Sequence, residues 1–125
     1  MISKILILGS GGAFGTLCRF FLSTFTQKTL GSGFSWGTAS VNIVGCFLIG
    51  LAWSLSIERS VLSPSGRLFF MVGFLGAFTT FSTYALESIN FLREREISIL
   101  LFNIILNNLI GFMMVILGMW LGRLL

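Results

Sequence analysis

Four apolar stretches, each long enough to cross a lipid bilayer, limit what this chain can fold into more than any other feature of it. Spanning the hydrocarbon core takes roughly 20 apolar residues in a helix. Residues 5–25 form the first stretch, broken only by Arg19, and residues 36–57, 68–86 and 97–121 contain no charge at all. Strands of a membrane barrel would instead alternate polar and apolar residues over about ten positions, and these stretches do not. Charged residues are 10% of the 125 and hydrophobic ones 55%, whereas a water-soluble domain carries about 25% charged residues. The expected fold class is an all-α membrane protein of four transmembrane helices, one transmembrane domain over residues 1–125, with both termini on the same side. The hinges expected at residues 26–35, 58–67 and 87–96 are too short to hold a folded unit outside the bilayer. The apolar run after Lys4 is too long for a secretory signal and lacks a small-residue cleavage pattern.

Orientation in a membrane follows the Lys and Arg count on short loops. Lys4, Arg59, Arg67 and Arg123 flank the side of the termini; Lys28, Arg93 and Arg95 flank the other, joined by Arg19 if its side chain reaches that way. A tally of four against three or four gives no bias. Either a partner or the first helix decides, or copies insert both ways round and pair as an antiparallel, dual-topology homodimer about a two-fold axis in the membrane plane. The net charge of +4 is spread around the hinges, which suits anionic lipid headgroups; without a basic patch, nucleic acid is not an expected partner. Cys18 and Cys46 lie in separate spans with no metal-ligand spacing, and the chain has no histidine, so both thiols are expected to act as small apolar residues. No nucleophile, general base or cofactor motif is evident, and an enzyme is not expected.

The third stretch contains "GFLGAFTTFSTY", residues 73–84. Glycine and the β-branched pair Thr79 and Thr80 lower helix propensity, and Gly76–Thr80 sits near the middle of that span. The expectation is a helix broken at the membrane midplane, which hydrocarbon tolerates only where the freed carbonyls and amides bind another chain, water or an ion. The alternative is an unbroken helix whose hydroxyls bond back to i−4 carbonyls. Phe81 and Tyr84 follow, three apart, and aromatic rings carry a positive edge that could face an anion.

Elsewhere, Asn42 is the one strong polar residue of the second span. It is either inter-helix glue or a donor to a passing anion. Asn103 and Asn107 lie one turn apart on one face of the fourth helix with Gly111 beyond them, an expected polar track. Arg19 either snorkels to the interface or gathers anions in a wet vestibule. The stretch "ILILGSGGAFG", residues 5–15, lacks the glycine spacing of a dinucleotide fingerprint; Gly11 and Gly15, four apart, read as a face for close helix packing.

"GGAFGTLCRF" (11–20), "GTASVNIVGCFLIG" (37–50) and above all "GFLGAFTTFSTY" (73–84) resemble the Fluc family of microbial fluoride channels. The resemblance extends over nearly the whole chain. It implies an antiparallel dual-topology homodimer in the bacterial inner (plasma) membrane, with two pores along the subunit interface. It also implies a structural sodium ion at the dimer centre, held by the carbonyls of Gly76 and Thr79 from both copies. The pore rings would be Phe81 and Tyr84, the pore amide Asn42, the hydroxyl and amide track Ser82, Thr83, Asn103 and Asn107, and the vestibule arginine Arg19. Two departures from the family stand out: Tyr84 where it has phenylalanine, and amides on the fourth helix where it often has tyrosine and serine. The implied function is selective, passive export of fluoride that relieves its toxicity. Two rivals are a small dual-topology multidrug exporter, for which Glu87 is the only available membrane carboxylate, and a non-transporting subunit of a membrane assembly.

Overall fold

In the computed structural model, which describes all 125 residues, the chain is entirely helical and carries four spans. Helix α1 is Ile2–Leu30 and α2 is Trp36–Glu58. The third span, Pro64–Arg93, consists of two helices, α3 over residues 64–78 and α4 over Phe81–Arg93. Helix α5 is Ile97–Leu124. The four spans are 29, 23, 30 and 28 residues long, so they outrun the apolar stretches, and the hinges shrink to residues 31–35, 59–63 and 94–96. Helix continues through polar residues such as Gln27, Arg67 and Arg93, so the non-helical connections are shorter than the charge-defined hinges.

Local chemistry explains where the helices stop. Gly31 takes a φ of 96° after α1, a conformation that suits a residue without Cβ. Gln27 then stitches the hinge, donating from Nε2 to the Gly31 and Phe34 carbonyls and accepting from the Gly37 N–H at 3.0 Å. Ser63 caps α3 by accepting from the Gly66 N–H at 3.1 Å, with Pro64 in the first turn, as helix starts prefer. Basic side chains bind carbonyls near helix C-termini: Arg67 donates to Ser56 at 2.6 Å and Arg59 to Arg123 at 3.1 Å, where the helix dipole favours positive charge.

Small residues set the packing. A Cβ on Gly11 or Gly15 would run into the Phe69 or Phe74 backbone of α3, so α1 and α3 touch main chain to main chain, as the spacing of those glycines leads one to expect. Helices α2 and α5 pack the same way, with Gly50 against the Val115 carbonyl and Gly118 against that of Phe47. Lipid offers no hydrophobic drive between helices, and such contacts replace it with dispersion.

The small core of Val41, Phe74, Leu75 and Phe78 lies between α2 and α3, with Cys18 and Leu22 of α1 packed against it. Only 21 of 125 residues are buried, so one copy of the chain encloses little of its own. Three spans carry π-helical turns, at Ser54–Glu58, Leu68–Phe74 and Ile105–Ile110. Each π turn takes up an extra residue and shifts the phase of the faces on either side of it.

Candidate functional site

The interruption between α3 and α4 organises the site. Thr79 (φ −88°, ψ 160°) and Thr80 (φ −149°, ψ 109°) are extended, while Gly76, Ala77 and Phe78 remain helical. The expected break is thus narrower than Gly76–Thr80. Glycine weakens a helix by only about 1 kcal/mol, and Gly76 has open space rather than a neighbour beside it; what opens the turn is a partner for Thr80.

That partner is Asn42 on α2. The Thr80 N–H donates to Asn42 Oδ1 at 2.8 Å, and Asn42 Nδ2 donates to the Thr80 carbonyl at 3.1 Å. One side-chain amide therefore satisfies both main-chain groups of Thr80, as a neighbouring strand would. Thr80 Oγ1 in turn caps α4, accepting from the Thr83 N–H at 3.3 Å.

These bonds redirect the amides that an unbroken helix would send to the carbonyls of Gly76 and Thr79, since the i+4 residues are Thr80 and Thr83. The Thr79 carbonyl has instead the Arg19 guanidinium, whose Nη1 is 3.5 Å away. The resemblance assigns these two oxygens to a cation. A hard ion such as sodium takes oxygen ligands, and two main-chain oxygens without helical amide partners fit that demand, although one chain supplies too few of them alone.

Two clefts flank the break. The larger, about 390 Å³, is lined by Asn42, Gly76, Thr79, Phe81, Tyr84 and Asn107 among others. The second, about 350 Å³, is lined by Arg19, Thr38, Thr80 and Thr83. Phe81 is 76% exposed and meets Tyr84 edge to face, with centroids 5.6 Å apart and planes at 64°. Ser82 is exposed and lines neither cleft.

The fourth span contributes an amide chain. Asn42 Nδ2 also donates to Asn107 Oδ1 at 2.8 Å, and Asn107 Nδ2 donates to both the carbonyl and Oδ1 of Asn103 at 3.0 Å. Asn103 is fully buried and donates to Ser88 Oγ at 3.0 Å, which donates to the Tyr84 carbonyl at 2.8 Å. Asn103 therefore lies behind the cleft and orients Asn107. An amide NH₂ has two protons, and those of Asn42 and of Asn107 are all committed within the chain. Asn42 thus braces the opened turn from a position in the wall of the larger cleft.

Asn108, which no sequence pattern singles out, also belongs to the site. Its Nδ2 donates to Tyr84 Oη at 2.8 Å and to the Ile104 carbonyl at 2.9 Å. The π turn at residues 105–110 is what lets consecutive asparagines both face protein. No pattern singles out Thr38 either: its hydroxyl donates to Glu87 Oε1 at 2.7 Å, while Glu87 Oε2 is buried without a hydrogen-bond partner.

Residues 6–119 match the family described as "CrcB-like protein, Camphor Resistance (CrcB)". The chain is 44% identical over 124 residues to the "Fluoride-specific ion channel FluC" of Solidesulfovibrio magneticus, covering 99% of each chain. It is 43% identical over 121 residues to the protein of that name from Maridesulfovibrio salexigens, covering 97% of this chain and 96% of the relative. The protein of the same name from Nitrosococcus oceani is 42% identical over 118 residues, 94% of each.

Proposed function

Because the chain belongs to the CrcB-like family, we propose that this multi-pass membrane protein is a fluoride-selective channel that lets the ion leave the cell passively and so limits its toxicity. The observation that carries the reading is the interrupted helix: an opened turn, braced by Asn42, between a largely apolar cleft with asparagines in its wall and a smaller cleft lined by Arg19 and hydroxyls. The relatives' name supplies the ion. In this reading Thr79–Thr80 lies at the membrane midplane of a bacterial inner membrane, and two oppositely inserted copies of the single domain meet along the break.

Fluoride holds water tightly, so a selective path has to replace that water with comparably strong partners. Arg19, beside the smaller cleft, raises the local anion concentration from a water-filled mouth. The hydroxyls of Ser82 and Thr83 offer donors at the start of α4, where the helix N-terminus also favours an anion. Phe81, with its exposed ring, and Tyr84 beside it continue the path. Asn42, Asn103 and Asn107 keep its wall rigid, and a rigid wall of fixed size discriminates against a larger halide. The carbonyls of Gly76 and Thr79 from both copies would hold a structural sodium ion. When bound, the ion offsets the converging partial negative charges and makes the centre of the dimer more hospitable to an anion. No bond is made or broken on the way, so the protein acts as a conduit and not as an enzyme.

Fluoride efflux from proteoliposomes tests the proposal. Purified protein is expected to release fluoride under a potassium diffusion potential and to leave chloride inside. Absent fluoride flux, or equal flux of both ions, would overturn it.

A further inference from the structure

Resting on the channel reading, we propose that Tyr84 serves the anion with its phenolic O–H rather than with its ring edge, and that Asn108 is the residue that positions it. The Ile104 carbonyl, which can only accept, is 2.9 Å from the amide nitrogen of Asn108. That fixes which end of the amide is NH₂. At the 2.8 Å contact with Tyr84 the amide therefore donates and the phenol oxygen accepts. The proton of the Tyr84 hydroxyl has no acceptor in the chain, and Tyr84 lines the larger cleft together with Asn108.

The other side-chain amide and hydroxyl donors around that cleft are spent. Both NH₂ protons of Asn42 go to Thr80 and Asn107, both of Asn107 go to Asn103, and the Thr79 hydroxyl goes to the Leu75 carbonyl. The edge-to-face contact of Phe81 with Tyr84 also turns one ring's positive edge onto the other ring's face. A hydroxyl held at its oxygen and free at its proton is what remains. Helix α5 grips Tyr84 at both ends, at the backbone through Asn103 and Ser88 and at the hydroxyl through Asn108, so the donor is fixed before an ion arrives. A charge-assisted hydrogen bond from such a preorganised group is among the stronger ones available.

Tyr84 is the only tyrosine in the chain, so its infrared C–O stretching band reports on this hydroxyl alone. Sodium fluoride added to the reconstituted wild-type protein is expected to shift that band from the acceptor-only toward the donor-and-acceptor position, and sodium chloride is expected to leave it in place. In efflux assays Y84F and N108A are each expected to slow fluoride release on the order of tenfold, since one hydrogen bond to a charged group is lost. The double variant is expected to be no slower than Y84F, because Asn108 acts through the hydroxyl. A band that ignores saturating fluoride while wild-type flux persists would overturn the proposal and leave the channel reading standing. So would a further loss when N108A is added to Y84F. Wild-type protein that passes no fluoride would instead overturn the reading beneath it.

Discussion

The side-chain amide of Asn42 pairs with both main-chain groups of Thr80, accepting from its N–H at 2.8 Å and donating to its carbonyl at 3.1 Å. The break in the third span is therefore held by a residue 38 positions away in the sequence. Replacing Asn42 with Ala leaves the Thr80 groups and Asn107 Oδ1 without partners. The expected outcome is a loss of about 1–3 kcal/mol in unfolding free energy, with fluoride efflux reduced more than about tenfold. Asn42→Asp keeps the acceptor for the Thr80 N–H but loses both donors, so it is expected to be no better than half-restored in stability.

Two glycines of α1 separate packing from propensity. Gly15→Ala would push a methyl group into the Phe74 main chain and is expected to cost about 1–3 kcal/mol, the range for overpacking. Gly9→Ala meets nothing within 4 Å and is expected to stabilise the helix by up to about 1 kcal/mol. Thermal unfolding in detergent should move in opposite directions for the pair.

Arg19→Gln removes the charge beside the smaller cleft and keeps much of the side chain's bulk. Fluoride flux is expected to fall roughly threefold to tenfold at low ionic strength. The gap from wild type should narrow as an inert salt is raised, because screening already weakens the wild-type charge. A deficit independent of salt would assign Arg19 a structural role through its Thr79 contact.

A reporter fused to the C-terminus is expected to appear on both sides of the membrane in roughly equal amounts, given the balanced flanking charge. Ser32→Arg with Gly33→Arg adds two charges to the 31–35 hinge, where no neighbour crowds Gly33. That variant should insert one way only and lose flux, and co-expression with an oppositely biased variant should restore it.

Sodium is expected to stabilise the protein by mass action, about 2.7 kcal/mol at a hundredfold excess over its dissociation constant. The unfolding midpoint should climb with sodium chloride and stay flat with choline chloride at matched ionic strength.

Much of this architecture is legible in the amino-acid order alone. The four spans follow from where the charges fall, and the weakness at Thr79 and Thr80 follows from their β-branched side chains. The Gly11 and Gly15 face also follows, since a spacing of four repeats along a helix. What stays hidden is set at long range or by a change of phase. Nothing near Thr80 announces that Asn42 completes its hydrogen bonding, which is why the break is drawn too wide from the sequence. Asn103 reads as a lining residue because it shares a face with Asn107, yet Ser88 of α4 packs over it and closes it off. Asn108 escapes a reading based on 3.6 residues per turn because the π-helical turn at Ile105–Ile110 brings it round to Tyr84.

The brace at Thr80 ties the break to the second and fourth spans. Restoring the absent turn of helix would take the Thr80 N–H away from Asn42, loosen Asn107 behind it and uncap α4, so a continuous third helix would come at the expense of the packing between three spans.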